Sequence, residues 1–346
     1  MRVAQVLTAS TGGIGRHVAS LLPRLRDRGH QVRVFCPDVT TEAQGFADLG
    51  VEVRGLRDLS QLRAADVVHA HGYKAGALAV AALTAARPPL VVTWHNAILG
   101  RGTSATAGRL LQRAVARGAD LTLGASSDLV AEAVLLGARR ARLGPVAAPT
   151  LPPSVADRDE VRGALGLGRT DVAVLTVSRL APQKNLAMLL DVAAAVRDRP
   201  TVRFLVVGEG PERDRLEARI RADALPVSLL GRREDIGDLL AAADLALLTS
   251  TWEARALVAQ EALLAGLPLV STAVGGVPEL VGDAAVLVEL GDVAGMAAAL
   301  GRIADDPAER HRLSAAGRAR AATWPDEDQV IDDVLAAYAE AGRPVR

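Results

Sequence analysis

The sequence predicts an α/β protein built from two doubly wound, parallel-sheet domains, and three observations lead there. Short apolar runs alternate with longer helical patterns from Val3 onward. The alternation is broken by Gly144-Pro145-Val146-Ala147-Ala148-Pro149-Thr150-Leu151-Pro152-Pro153-Ser154, a segment whose four prolines exclude a helix or a central strand and read as a linker. It then restarts. Repeated strand–helix alternation forms a parallel sheet with helices on both faces. A chain of 346 residues is long enough for two such domains.

In the first half, strands are expected at 3–7, 32–35, 51–53, 67–70, 90–93 and 121–123, each a short apolar run. Helices are expected at 14–28, 75–86, 104–117 and 127–136. Beyond the linker, strands are expected at 172–177, 202–207, 227–230, 245–248, 269–271 and 286–288. The helices there are 186–198, 211–222, 236–243, 255–265, 293–304 and 307–321, and a last one at 327–341 follows Trp324-Pro325. The expected divisions are a Rossmann-like domain at 1–150, a second at 151–322, and a terminal helical segment at 323–346.

Composition narrows the function classes. Half of the residues are hydrophobic but only 2% are aromatic, which suits helices and buried parallel strands and gives a nucleic acid few rings to stack on. The single cysteine, Cys36, excludes an internal disulfide and fits a reducing compartment. The N-terminus runs straight into a strand, unlike a signal peptide. The longest uncharged apolar run, 75–86, is too short to span a bilayer. The expectation is a soluble cytoplasmic protein. Net charge is zero, yet residues 1–155 carry +8 and residues 156–346 carry −8. Two readings follow: the halves attract each other, or the basic half faces an anionic partner such as a membrane surface.

In doubly wound sheets ligands bind beyond the carboxyl ends of the strands, so the informative loops follow strands. Ser178-Arg179-Leu180-Ala181-Pro182-Gln183-Lys184-Asn185 sets two cations beside a helix start, an arrangement suited to a diphosphate. Lys184 stands out because the chain has 38 arginines and only one other lysine, Lys74. The next strand ends in Gly208-Glu209-Gly210-Pro211, where glycine lets backbone approach a ligand and Pro211 suits the first helical position. Gly231-Arg232-Arg233 and Ala273-Val274-Gly275-Gly276-Val277-Pro278-Glu279 end two further strands. Between those two, Thr249-Ser250-Thr251-Trp252-Glu253-Ala254-Arg255-Ala256-Leu257-Val258-Ala259-Gln260-Glu261 places Glu253 just before a helix and Glu261 about two turns inside it. One crevice thus offers two carboxylates and unpaired helix N–H groups, which suits a ligand with both hydroxyls and phosphate.

In the first half, Gly12 and Gly13 open a helix after the first strand, but G-x-G-x-x-G is not met because Val18 follows Gly13-x-Gly15. His69, His71 and His95 lie at two strand ends. A lone histidine is more often a structural hydrogen-bonder, and of the three His95 is the best functional candidate. No metal-ligand cluster shares an edge with the diphosphate-like loops. Arg109, Arg113 and Arg117 form a basic stripe, read either as a solvated helix face or as a contact for anionic lipid.

Taken together, Gly12-Gly13, the His95 loop, Ser178-Arg179-Leu180 with Lys184-Asn185, Gly208-Glu209-Gly210-Pro211, Glu253-x7-Glu261 and Gly275-Gly276 with Glu279 resemble, in order and spacing, the retaining glycosyltransferases of family 4. The resemblance covers about 270 residues. It implies a GT-B fold of two Rossmann-like domains facing a cleft, with the last helix crossing back to the first domain. It also implies transfer of a hexose-type sugar from a UDP- or GDP-linked donor to a hydroxyl acceptor, such as a cell-envelope lipid or a small glycoside. No cofactor or metal is implied. Transfer would be front-face, with the leaving phosphate taking the proton of the incoming hydroxyl.

Carried over by residue, Arg179 and Lys184 would bind the diphosphate, Glu261 the ribose and Glu253 a donor-sugar hydroxyl. Ala254, Arg255, Ala256 and Leu257 would meet sugar and distal phosphate through their backbone, and Arg232 would border the base. Gly208 and Gly210 would line the donor. His95 would touch the donor sugar and Gly13 the diphosphate or acceptor. The family commonly reads E-G-F-G where this chain has Glu253-Ala254-Arg255-Ala256. That departure keeps open a non-catalytic, nucleotide-binding GT-B scaffold. A sugar-nucleotide epimerase also stays open, whereas a nicotinamide dehydrogenase lacks its fingerprint and any Tyr-x3-Lys pair.

Overall fold

A computed structural model of the chain describes residues 1–10, 12–83, 87–100, 102–144, 146 and 154–343, the side chain of residue 104 excepted. Most of the proline-rich segment read as a linker lies outside the described residues. The chain divides into two compact units, Met1–Pro149 with Pro325–Arg346, and Thr150–Trp324. Trp324, grouped on sequence with the terminal segment, belongs to the second unit, where its Nε1 donates to the Leu280 carbonyl at 3.2 Å.

The first unit contains β1 (Arg2–Leu7), α1 (Gly13–Asp27), β2 (Gln31–Phe35), α2 (Asp38–Gln44), β3 (Glu52–Arg54), β4 (Val67–His71) and α3 (Tyr73–Ala82). It continues with β5 (Leu90–Trp94), α4 (Thr103–Gly118), β6 (Leu121–Gly124), α5 (Ser127–Leu135) and β7 (Ala141–Leu143). Its seven strands are all parallel, in the order β3-β2-β1-β4-β5-β6-β7.

The second unit starts with α6 (Arg158–Ala164), β8 (Val172–Val177), α7 (Leu186–Ala195), β9 (Val202–Val207), α8 (Arg213–Ala222) and β10 (Val227–Gly231). It goes on through α9 (Ile236–Ala242), β11 (Leu245–Leu248), α10 (Leu257–Ala265), β12 (Leu269–Thr272), α11 (Val277–Val281) and β13 (Val286–Val288). It ends with α12 (Val293–Asp305) and α13 (Pro307–Ala321). The sheet order is β10-β9-β8-β11-β12-β13, again all parallel. The last helix, α14 (Glu327–Ala341), lies in the first unit. Asp326 and Gln329 form its capping box, and Val330, Ile331, Val334 and Tyr338 pack on Val3, Val67, Val91 and Leu121.

The central strands β1, β4, β5, β8, β9 and β11 are buried almost throughout, as strands covered on both faces must be. In both units the strand order reverses beside the first strand, between β1 and β4 and between β8 and β11. Such a reversal leaves a crevice at the carboxyl edge, because the two crossovers leave in opposite directions.

Of the strands and α-helices just given, four were not expected from sequence: α2, β7, α6 and α11. Helix starts also move, α3 from 75 to Tyr73 among them. Pro211 lies in the turn before α8 and is not its first residue, since the helix begins at Arg213. The helix α10 begins at Leu257, not Arg255, so Glu261 lies about one turn inside it instead of two.

Candidate active site

At the reversal of the second unit, the loop after β8 meets the loop after β11. Thr251 N donates to Gln183 O at 2.8 Å, Thr249 Oγ1 to Lys184 O at 3.0 Å, and Gln183 Nε2 to Trp252 O at 2.8 Å. This lacing brings together two side chains 69 positions apart: Lys184 Nζ lies 2.5 Å from Glu253 Oε1. Ser250 Oγ donates to the same carboxylate oxygen at 2.7 Å. The lysine side chain is 21% exposed and the glutamate side chain 11%, so the pair is partly shielded yet reachable from solvent. A cation and an acceptor-only carboxylate held side by side can take a phosphate oxygen and a sugar hydroxyl in adjacent positions.

Two glycines let the neighbouring loops close on this pair. Gly208 has φ of 132°, and a Cβ there would lie 1.9 Å from Ser178 O. Gly275 has φ of 52°, and a Cβ there would lie 2.0 Å from Glu253 O; the next residue, Gly276, donates its N–H to that same oxygen at 2.9 Å. Only glycine allows such approach at positive φ. Asn185, with φ of 48°, turns the chain from Lys184 into α7.

The other expected residues of this unit fall around the pair. Arg179 is exposed at the end of β8, and Gly210 sits in the turn before α8 with its carbonyl accepting from Arg213 N at 3.2 Å. Glu261 is buried on α10, and Ala254 and Ala256 are buried on the approach to it. Arg232 is 83% exposed and lies 4.0 Å from Glu234, so nothing in the loop holds it toward the pair. Arg255 is half-buried, and its buried Nε has no hydrogen-bond partner. Burial pulls its guanidinium below the usual arginine value, and Glu279 nearby acts against that.

At the reversal of the first unit, Gly12 is the N-cap of α1, and Gly13 its first, exposed residue. Four histidines gather there, and none is at an open strand end. Parallel pairing places Gln5 opposite His69 and His71 opposite Thr93, on the sheet face that α14 covers. Tyr338 Oη accepts from Gln5 Nε2 at 2.9 Å and lies 3.0 Å from His69 Nδ1. His69 Nε2 is 2.7 Å from Thr93 Oγ1, His71 Nε2 2.7 Å from Gln5 Oε1, and His71 Nδ1 3.3 Å from His95 Nε2. The His17 ring of α1 meets those of His71 and His95 edge-on at 5.9 and 5.5 Å.

Burial drives the imidazoles toward the neutral form, His17 to about 4 and His69 to about 3, with His71 and His95 also well below the ordinary value. His69 and His71, noted in the sequence for their place at a strand end, are therefore members of a buried network.

The family description "Glycosyl transferases group 1" matches residues 157–320, and "Glycosyl transferase 4-like domain" matches residues 12–149. D-inositol 3-phosphate glycosyltransferase of Geodermatophilus obscurus is 30% identical, the match covering 95% of this chain and 85% of that protein. The chain belongs to the group 1 glycosyl transferases. Glycogen synthase of Mycobacterium tuberculosis is 29% identical to the transferase over 97% of this chain and 92% of its own. The structure of Anabaena HepE in complex with UDP superposes with a TM-score of 0.84, at 24% identity and with 98% and 100% of the two chains covered. The fold of the transferase is GT-B.

Sequence reasoning named Lys184 and Glu253 singly but not their pairing, and it passed over Ser250, Gln183, Gln5, His17 and Tyr338. A signal existed for part of this, because His69-Ala70-His71 has the period of two that puts both rings on one strand face. Tyr338 had none, being 269 residues from His69.

Proposed function

We propose that this transferase moves a hexose-type sugar from a UDP- or GDP-linked donor to a hydroxyl acceptor with retention of anomeric configuration. The observation that carries the reading is the Lys184–Glu253–Ser250 constellation at the strand-order reversal of the second unit. In the donor complex Lys184 leaves Glu253 for the diphosphate, joined by the exposed Arg179. Glu253 then accepts a sugar hydroxyl, and Glu261 takes the ribose. Backbone N–H groups from Ala254 to Leu257 and the start of α10 meet the distal phosphate. Gly208 and Gly210 border the donor, Arg232 the base, and Gly13 the phosphate or acceptor. His95 is assigned to a substrate hydroxyl.

Fold likeness to a protein solved with UDP, and kinship with a glycogen synthase and an inositol phosphate glycosyltransferase, support a nucleotide-sugar donor. The charge leaving on the diphosphate is met by Arg179, Lys184 and helix N-termini, with positioning and electrostatics as the catalytic terms. We assign no role to a divalent cation, and transfer persisting in EDTA is the expected outcome. Incubation with a panel of UDP-, GDP- and ADP-sugars tests the whole reading. Release of nucleoside diphosphate from one class supports it, while binding without release from any sugar favours a non-catalytic scaffold.

A lipid acceptor is favoured by α4, on which Arg109, Arg113 and Arg117 are exposed beside a 65% exposed Leu110. We assign the contact as a peripheral one; no helix among the described residues is long and apolar enough to cross a membrane. Co-sedimentation with anionic vesicles at low salt is expected, and its absence removes the membrane part alone.

A further inference from the structure

The first unit's histidine network is built so that each member's proton position follows from its neighbour's. Gln5 spans two partners with the two ends of one carboxamide. Its Nε2 donates to Tyr338 Oη, so its Oε1 is the atom that faces His71 Nε2. A carbonyl oxygen only accepts, hence His71 carries its proton on Nε2. A neutral imidazole has one N–H, so His71 Nδ1 is an acceptor and the proton between it and His95 sits on His95 Nε2. The same logic runs the other way from Tyr338. Its oxygen already takes the Gln5 amide, so its O–H donates to His69 Nδ1, and His69 Nε2–H donates to Thr93 Oγ1. The chain of proton positions is consistent from end to end only if every ring is neutral. Burial of all four histidines, with His17 packed edge-on against two of them, provides that condition.

We propose that Tyr338, Gln5 and His71 form a positioning relay that fixes His95 as its Nε2–H tautomer, so that His95 Nδ1 is presented as an acceptor for a substrate hydroxyl. Nδ1 takes no hydrogen bond from the described residues, and His95 keeps 8% of its surface exposed. A helix close to the end of the chain thereby sets the polarity of a side chain just beyond β5. Without Tyr338 Oη, the Gln5 amide is free to turn over and present Nε2 to His71. His71 would then carry its proton on Nδ1, and His95 would donate from Nδ1 instead of accepting there. The proposal rests on the assignment of His95 to a substrate hydroxyl only for its consequence in catalysis; the tautomer itself is a property of the free protein.

The test is long-range proton–nitrogen NMR on full-length protein labelled with 15N-histidine, with the His95 signals identified by their loss in His95→Gln. Expected near neutral pH are Nε2–H tautomers for both His71 and His95. In Gln5→Leu, and in Tyr338→Phe where the Gln5 amide can turn over, the His95 nitrogens shift toward a mixture. With donor as the varied substrate, kcat/KM falls about five- to tenfold in Gln5→Leu. Wild-type His95 protonated on Nδ1 overturns the relay, a reading that needs no variant to fold. So does an unchanged His95 tautomer in folded Gln5→Leu. Tautomers that move as expected while kcat/KM stays constant leave the relay standing and overturn the assignment of His95 to the substrate.

Discussion

Where the strand order reverses in the second unit, between β8 and β11, the side chains are charged and partly open to solvent; where it reverses in the first unit, between β1 and β4, they are neutral and buried. Both places arise from the same winding, three strands one way and the rest the other. One topology therefore supplies the crevice and leaves its chemistry to the loops and the covering helix. Lys184 and Glu253 come from loops and form an ion pair. Gln5, His69 and His71 come from strands under α14, where burial holds the two imidazoles neutral.

The comparison can be broken most forcefully at the charged pair. Lys184→Ala is expected to lower kcat at least about a hundredfold, as loss of an electrostatic partner of a developing negative charge does. Lys74→Ala, the change at the other lysine, should leave the rate unaltered. Nucleotide release measures both, and equal small effects would remove the distinction drawn between the two lysines.

The neutral network gives the next largest effect, in stability. For His17 and His69 the folded pKa lies below the ordinary 6.5, at about 4 and about 3. Their contribution is therefore complete above 6.5, where both states are neutral, and is lost as pH falls through the window below it, where the unfolded chain takes up protons the native one refuses. Each such histidine costs about 1.4 kcal/mol per pH unit across that window. Urea unfolding at about pH 7 and about pH 5 should show the fall, with a shallower slope in His17→Phe. A pH-independent midpoint would mean that the rings titrate in the folded protein as they do in the unfolded chain.

Smaller in energy is the glycine contact behind Glu253. Gly275→Ala places a Cβ against a backbone carbonyl at positive φ, a strain of about 1–3 kcal/mol that relaxes only by displacing Glu253. Lower stability with a disproportionate loss of kcat is expected from melting and rate measurements together. Smallest is Arg255→Met, which removes a buried nitrogen without a partner and should stabilise the protein by about 1 kcal/mol. A marked drop in melting temperature would instead make Arg255 a support for α11 through Glu279.

Much of the scaffold was legible beforehand, for a physical reason. The strands β8, β9, β11 and β13 and the helices α13 and α14 begin and end where the apolar runs and capping residues say. Runs buried on both faces leave little freedom in where a strand starts. The missed elements are those that neighbours impose. Ala141–Leu143 has no apolar pattern and becomes β7 by pairing with β6, while α11 is a five-residue helix after a glycine pair that reads as loop. In the candidate site, Lys184 was singled out by its rarity and Glu253 by its place after a strand. Their contact depends on which strands are neighbours, and spacing in one sequence does not encode that. The network around Gln5 was hidden for the same reason, since its last member lies on α14.

The most direct test of the donor assignment is calorimetric titration of UDP, GDP and the matching nucleotide-sugars into wild type, Lys184→Ala and Glu253→Gln. Lys184→Ala is expected to weaken the free nucleoside diphosphate at least about tenfold. Glu253→Gln, which frees Lys184 from its ion pair, should bind that nucleotide at least as tightly as wild type does and lose the added affinity of the sugar. Wild-type affinity for both nucleotides in Lys184→Ala would contradict the account.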